Sequence, residues 1–192
     1  MPKSKLNLEV EYYGGQINNL TPNSKWVSLH RIQVPQKGIQ GYDYSHDVHG
    51  HGHGVAVLPY RQNKELLLRK EIVPPWGLSP SLCSITGSWD HPEEDFLQTA
   101  VRELHEEAGY LLTPSEVEDR FLSLGTCRVS KATDSVYHLY AVDVTGLIQE
   151  EPPGDGSELE RQATTEWVTD IPDDLQDPLV AVILLRLMKR FS

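Results

Sequence analysis

The sequence has few of the residues that cross-link a chain or anchor it in a membrane. Its two cysteines, Cys83 and Cys127, lie far apart and form no C-x-x-C motif, which argues against a disulfide framework and a thiolate zinc site. No apolar run approaches the roughly 18 residues of a membrane-spanning helix, and residues 1–13 lack the apolar stretch of a secretory signal. We therefore expect a cytoplasmic protein without a membrane partner.

Positive charge is also scarce in this chain. Lys and Arg number 17 against 28 Asp and Glu, which gives a formal net charge of -11 and an isoelectric point near 5.1. Such a chain repels the phosphate backbone of a long nucleic acid, and no basic stripe offsets the repulsion. A small anionic substrate is still compatible, because a bound divalent cation can reverse the local field of an acidic pocket.

The length of 192 residues suits one globular domain with a short N-terminal appendage. We assign residues 1–45 to an N-terminal β extension that could serve in dimerisation, and residues 46–192 to the main domain. Alternating or short apolar runs predict strands at residues 8–13, 26–34, 55–60, 65–70, 82–86, 121–127, 136–144 and 164–168. Apolar residues at 3- and 4-residue spacings predict helices at 93–108 and 177–190. The pattern indicates an α+β fold.

An acidic helix face stands out within residues 102–109, which read Arg-Glu-Leu-His-Glu-Glu-Ala-Gly. On a helix, Glu103, Glu106 and Glu107 lie within an arc of about 100°. Crowded carboxylates repel by a few tenths of a kcal/mol for each pair, and a hard cation such as Mg²⁺ relieves that repulsion. A solvated helix face is the alternative. The glycine-containing loop before the helix and Gly109 after it favour a metal-bridged phosphate site.

The spacing of these residues resembles the Nudix box, G-x5-E-x7-R-E-U-x-E-E-x-G-U, in which U is a bulky apolar residue. The matching positions are Glu94, Arg102, Glu103, Leu104, Glu106, Glu107, Gly109 and Tyr110. One position departs from the pattern, since Ser88 stands where the first glycine is expected and Gly87 directly precedes it. The resemblance implies a Nudix αβα sandwich with a mixed sheet and a catalytic loop-helix-loop.

The resemblance also implies the cofactor and its ligands. Mg²⁺, with Mn²⁺ as a substitute, would be bound by Glu103, Glu106, Glu107 and a main-chain carbonyl near Gly87. Glu107 is in addition a candidate catalytic residue. The implied reaction is attack of a metal-activated water on a phosphorus of a pyrophosphate. Glu94 and Arg102 are expected to form a structural pair, and Tyr110 to lie in the core.

Outside the box, residues 26–190 resemble the ADP-ribose and nucleoside-diphosphate-sugar pyrophosphatases of the same family. The similar segments are residues 54–59, 66–70 and 152–156. In that branch a loop glutamate after the box acts as a ligand or general base, so Glu158 is our first candidate and Glu160 our second. The alternative is an acidic loop without a catalytic role.

The substrate expected from this branch is ADP-ribose or a nucleoside diphosphate sugar, and members are often homodimers. The branch commonly has Glu-Leu-Pro-Ala-Gly before the box, whereas residues 83–87 here read Cys-Ser-Ile-Thr-Gly. That glutamate normally helps to hold the substrate, so its absence leaves ADP-ribose, sugar nucleotides and dinucleoside polyphosphates as candidates. The alternative functions are hydrolysis of dinucleoside polyphosphates and nucleotide sensing without turnover.

Several further residues are candidates for contact with a small nucleotide substrate. They are Trp76, Trp89, Arg69, Arg128 and Lys131. Each tryptophan could stack on a base or pack in the core. Arg128 and Lys131 could contact phosphate or lie in a solvated turn. His46, His49, His51 and His53 could bind a transition metal or contact substrate, although interleaved glycines favour a flexible loop. Cys83 could be a nucleophile or a buried thiol.

Overall fold

The computed structural model describes residues 5–154 and 161–191. The helices are α1 (Lys5–Tyr12), α2 (Phe96–Ala108), α3 (Pro114–Arg120) and α4 (Pro178–Phe191), with a 3-10 turn at Pro35–Lys37. The strands are β1 (Gln16–Asn19), β2 (Val27–Val34), β3 (Ile39–Asp47), β4 (His53–Tyr60), β5 (Leu66–Ile72), β6 (Pro80–Cys83), β7 (Ile85–Ser88), β8 (Phe121–Cys127), β9 (Val136–Asp143) and β10 (Thr164–Val168).

The described residues divide into two compact units. The first unit holds residues 5–53 and 128–136, and the second unit holds residues 54–127, 137–154 and 161–191. None of the helices within these residues is long and apolar enough to cross a membrane.

The second unit is built on a seven-stranded sheet with the order β10-β5-β4-β9-β8, to which β6 adds beside β5 and β7 beside β4. Alternate residues of the central strands enter two separate apolar clusters. Val55, Val57 and Leu67 pack with α2, whereas Leu58 and Leu68 pack with α4. Both faces of these strands are therefore buried, which explains their almost continuous apolar sequence. The result is a sheet between two helical layers.

The helix α2 carries the acidic face, and its ends are set by local sequence. Asp95 caps the N-terminus in a capping box with Gln98, which satisfies two of the first free N–H groups. The helix therefore starts at Phe96, three residues later than predicted. Gly109 ends it in the left-handed conformation at φ 71°, where glycine avoids the strain of a Cβ atom.

The start of α4 is fastened to the strands before the box. Asp177 is 4% exposed and its Oδ1 accepts the N–H of Leu179 at 2.7 Å. Its Oδ2 accepts both the N–H and the Oγ–H of Ser84 at 2.7 Å. Buried polar groups need hydrogen-bond partners, and three donors serve this carboxyl group. This contact fixes the junction of β6 and β7, and β7 carries Gly87.

The first unit packs α1 against an antiparallel sheet of order β1-β2-β3. Val10, Ile32, Val34 and Tyr44 form its core. The prediction of a strand at residues 8–13 is wrong, because this segment lies in helix α1 and the turn that follows it. Leu6, Val10 and Tyr13 carry a helical spacing as well as the alternation, and all three pack in this core. The strand predicted at 26–34 is confirmed as β2.

Candidate active site

The acidic face of α2 is gathered around one arginine. Arg102 Nη1 lies 2.8 Å from Glu103 Oε1 and 2.9 Å from Glu106 Oε2. Its Nε lies 3.4 Å from Glu94 Oε2, which is the pair expected from the sequence, and its Nη2 lies 3.4 Å from Asp90. One guanidinium thus joins the helix to the loop that precedes it, and offsets the repulsion between crowded carboxylates.

The third box carboxylate has a different partner. Glu107 forms an ion pair with Arg69 Nη1, and the N–H of Thr86 donates to Glu107 Oε2 at 3.3 Å. Arg69 lies on β5 and its side chain is only 4% exposed. Its Nε lies 3.0 Å from Glu71 Oε2, two residues further along the same face of the strand. Two arginines from two elements therefore balance the acidic face.

Burial makes two of these carboxyl groups unusually weak acids. Burial raises the pKa of Glu103 to about 7, although Arg102 beside it acts in the opposite direction. Burial likewise raises the pKa of Glu107 to about 8, against the opposing effect of Arg69. Strongly shifted carboxyl groups on one helix face are typical of functional sites.

Gly87 leaves the space in which Glu103 lies. A Cβ atom added at Gly87 would overlap the Glu103 side chain. Gly87 also pairs with Val55 of β4, so the sheet holds its main chain in place. The close approach explains why a glycine stands here even though the adjacent box position is Ser88.

The donor set fits a hard divalent cation in chemical kind. Three carboxylates and a neighbouring main-chain carbonyl are the oxygen ligands that Mg²⁺ prefers. Within residues 5–154 and 161–191, no three His, Cys, Asp or Glu side chains are arranged to hold a metal ion. The reason at the box is that its carboxylates are turned toward Arg102 and Arg69. Cation binding at this face therefore requires an exchange of ion pairs.

The segment before residue 155 lies against the end of α2. The N–H of Glu150 donates to Gly109 O, and the N–H of Gly154 donates to Glu106 O, both at 2.9 Å. A Cβ at Gly109 would overlap the carbonyl of Glu150. Gln149 adds a side-chain bond to Ala108 O at 3.1 Å. Glu158 and Glu160, the predicted loop bases, lie outside the described residues.

Comparison with known proteins places this box in a family. The model of the NUDIX domain matches residues 50–182, which is more than two thirds of the chain. The chain belongs to the Nudix family. A solved structure described as an ADP compounds hydrolase aligns with a TM-score of 0.66 at 16% identity, covering 92% of this chain and 91% of that chain. A search of curated proteins finds no match.

These findings confirm the predicted family, the Nudix αβα fold with its mixed sheet, and the class of pyrophosphohydrolases. Divalent metal ions are the general cofactors of Nudix hydrolases. Tyr110, predicted as a core residue of the box, is fully buried.

The two tryptophans that are candidates for substrate contact have different surroundings. Trp76 is 43% exposed and lines a cavity of about 410 Å³ together with Leu82 and Leu175. Trp89 donates its indole N–H to Glu94 O at 2.8 Å and packs on Phe96. Trp89 therefore stabilises the loop before the box helix, whereas Trp76 presents a ring to a cavity.

Arg128, Lys131 and the histidine cluster lie in the first unit. Arg128 donates to Asp134 O, and Lys131 O accepts the Tyr42 hydroxyl at 2.8 Å. His46 Nδ1 lies 2.9 Å from Asp134 Oδ2, and this hydrogen bond raises the pKa of His46. His46 thus lies in β3 and helps to hold residues 128–136, a structural contact that the sequence did not indicate.

Cys83 is a buried thiol rather than an exposed nucleophile. It is 4% exposed, and burial raises its pKa to about 12. The thiolate is the nucleophilic form of cysteine, and it is scarce at neutral pH when the pKa is so high.

Two residues that support the site, Glu71 and Asp177, were not among those expected from the sequence. Glu71 was missed because the strand predicted from the sequence ended at Lys70, one residue before it. Asp177 directly precedes Pro178, the first residue of α4, and this capping signal was available in the sequence.

Proposed function

We propose that the protein hydrolyses the pyrophosphate of a nucleoside diphosphate linked to a second group, with Mg²⁺ or Mn²⁺ as cofactor. The observation that carries the proposal is the convergence of Glu103, Glu106 and Glu107 with two partly or fully buried arginines in a Nudix domain. ADP-ribose and nucleoside diphosphate sugars are the first candidates. The ADP compounds hydrolase among the similar structures supports an ADP-containing substrate.

The box glutamates and the main chain at Gly87 are the groups that would hold the cations. Bound divalent cations supply charge neutralisation for the pyrophosphate and lower the pKa of an attacking water. Arg102 holds the loop before the box helix against that helix through its ion pairs with Glu94 and Asp90. Burial of Glu103 and Glu107 keeps bulk water from these carboxylates, which strengthens their attraction for a cation.

We assign the role of general base to Glu158, with Glu160 as the second choice. The contact between Gly154 N–H and Glu106 O brings the chain to the box helix four residues before Glu158. Four residues span at most about 14 Å. The attachment of residue 154 to the box helix supports the assignment.

Trp76 is the better candidate for stacking on a base, because it is exposed at a cavity. Trp89 and Arg69 are engaged within the protein, so we assign them supporting roles first and substrate contact second. Arg128 and Lys131 remain proposed contacts for phosphate. A homodimer formed through the N-terminal residues 1–45 and a cytoplasmic location remain predictions from the sequence.

Product release from a substrate panel, with and without Mg²⁺, tests the proposed function. The panel contains ADP-ribose, UDP-glucose, NADH, dinucleoside tetraphosphate and an oxidised dNTP. We expect Glu106→Gln and Glu107→Gln each to lower kcat by at least about a hundredfold, because each removes a charged ligand. Glu118→Gln on the exposed side of α3 is the control and should match wild type.

The same assay tests the loop. Glu158→Gln should lower kcat by about 10²- to 10⁴-fold with little change in KM, as expected for a lost general base. Glu160→Gln should be mild. Nucleotide binding without turnover of any panel member would favour the sensing function instead, and turnover confined to the tetraphosphate would favour a dinucleoside polyphosphate hydrolase.

A further inference from the structure

Arg69 is a buried cation that two carboxylates share. Its side chain is 4% exposed, and it contacts Glu107 through Nη1 and Glu71 through Nε. Arg69 lies in the interior of the sheet, since it pairs with Cys83 of β6 on one side and with Thr165 of β10 on the other. The main chain therefore cannot carry the guanidinium away from this place.

Glu107 has two potential partners in a Nudix hydrolase, namely Arg69 and the divalent cation. In its ionised form Glu107 neutralises Arg69, and the same ionised form is the proposed ligand of the divalent cation. A buried charge that loses its only partner is strongly destabilising. If Arg69 had no second carboxylate, cation binding to Glu107 would leave the guanidinium without a counter-charge.

Glu71 provides that second carboxylate. Its side chain is 24% exposed, against 11% for Glu107, and it lies on the same face of β5 as Arg69. Its Oε2 is already 3.0 Å from Arg69 Nε. No large movement of either side chain is needed for Arg69 to remain paired with Glu71 when Glu107 turns to another cation.

We propose that Glu71 is a positioning residue for cation binding, which holds Arg69 so that Glu107 can exchange its ion pair with Arg69 for the divalent cation. The inference rests on the proposed function of the box glutamates. Glu71 itself touches neither cation nor substrate in this scheme. It acts through Arg69, and its loss leaves Arg69 in competition with the cation for Glu107.

Binding of Mn²⁺ to the full chain without substrate tests the inference, with free Mn²⁺ measured by its electron paramagnetic resonance signal. Glu71→Gln should raise the Kd for Mn²⁺ at least about tenfold, equivalent to about 1.4 kcal/mol. Glu166→Gln is the matched control, because Glu166 lies in the same sheet and pairs with Lys70 at 3.2 Å. Its Kd should stay within about twofold of wild type.

Two further measurements separate this exchange from a general loss of negative charge. At about 1 M salt the Debye length is about 3 Å, so a long-range effect of Glu71 would vanish while the local exchange persists. In an Arg69→Met background, Glu71→Gln should no longer change the Kd, because the competitor of the cation is gone. An equal effect in both backgrounds would contradict the inference.

The outcomes also distinguish a failure of this inference from a failure of the proposed function on which it rests. Wild-type protein that binds no Mn²⁺ would overturn the proposed cation site and the role of Glu71 with it. Wild-type binding together with an unchanged Kd in folded Glu71→Gln would overturn the role of Glu71 alone. Should Arg69→Met fail to fold, the salt dependence of Glu71→Gln against Glu166→Gln still decides the matter.

Discussion

In the absence of divalent cations, the stability of this protein should fall as the pH rises through neutrality. Glu103 and Glu107 are responsible, because burial raises their pKa values to about 7 and about 8 from an ordinary value of 4.5. Both groups therefore hold a proton in the folded protein at a pH where the unfolded chain has lost it. The perturbation is removal of metal by a chelator, followed by a change of pH.

The sign and size follow from proton linkage. An acid whose pKa is higher in the folded state stabilises that state below its unfolded pKa, and this stabilisation is lost as the pH rises through the folded pKa. Between about pH 6 and pH 8 the loss is about 1.4 kcal/mol for Glu103 and about 2 kcal/mol for Glu107. For a chain of this length, a combined loss of 3–4 kcal/mol lowers Tm by roughly 7–14 °C.

The assay is Tm by circular dichroism in chelator across this pH range, for wild type and for the Glu103→Gln/Glu107→Gln double variant. His46 also has a raised pKa and contributes a loss in the same direction, so the difference between the two proteins isolates the glutamates. Saturating Mg²⁺ should restore more stability at the higher pH, because its ligands bind as charged carboxylates. Parallel Tm curves for wild type and the double variant would refute the reasoning.

Two further predictions concern backbone geometry and assembly. Gly146→Ala should lower the free energy of unfolding by about 1–2 kcal/mol, because the φ of Gly146 is 76° and the space around it is open. Gly109→Ala should lower it clearly more, because the added Cβ would also overlap the Glu150 carbonyl. Urea unfolding measures both losses, and equal losses would contradict the close approach. Light scattering of the wild-type protein at micromolar concentration should give the mass of a dimer. The double variant Val27→Lys/Leu29→Lys, which places charges at two exposed apolar positions of β2, should give the mass of a monomer. A monomer mass for the wild-type protein would count against the dimer.

The fold of the second unit could be predicted from the sequence because its signals are local. The apolar strands β4 and β5 and the amphipathic helix α2 each carry their own period, and Gly109 marks the end of α2. The first unit was harder. Residues 8–13 satisfy both a strand and a helix pattern, and packing of Val10 against Ile32 and Val34 selects the helix.

The acidic face of the site could also be predicted, because helix geometry alone places its three glutamates together. The partners of those glutamates could not. The pairing of Glu107 with Arg69 joins residues 38 positions apart, and it depends on the alignment of β5 beneath α2. The same holds for Asp177 and Ser84, which are 93 positions apart.

The ion pairs of Arg69 give a physical explanation for the departure from the Glu-Leu-Pro-Ala-Gly pattern. The glutamate of that pattern corresponds to Cys83, and Cys83 lies directly opposite Arg69 in the register of β5 and β6. The carboxylate beside Arg69 comes instead from Glu71, whose charge and hydrogen bond also act on the Cys83 thiol. Arg69 therefore keeps a counter-charge although position 83 is neutral, because Glu71 on the same strand, β5, supplies the carboxylate.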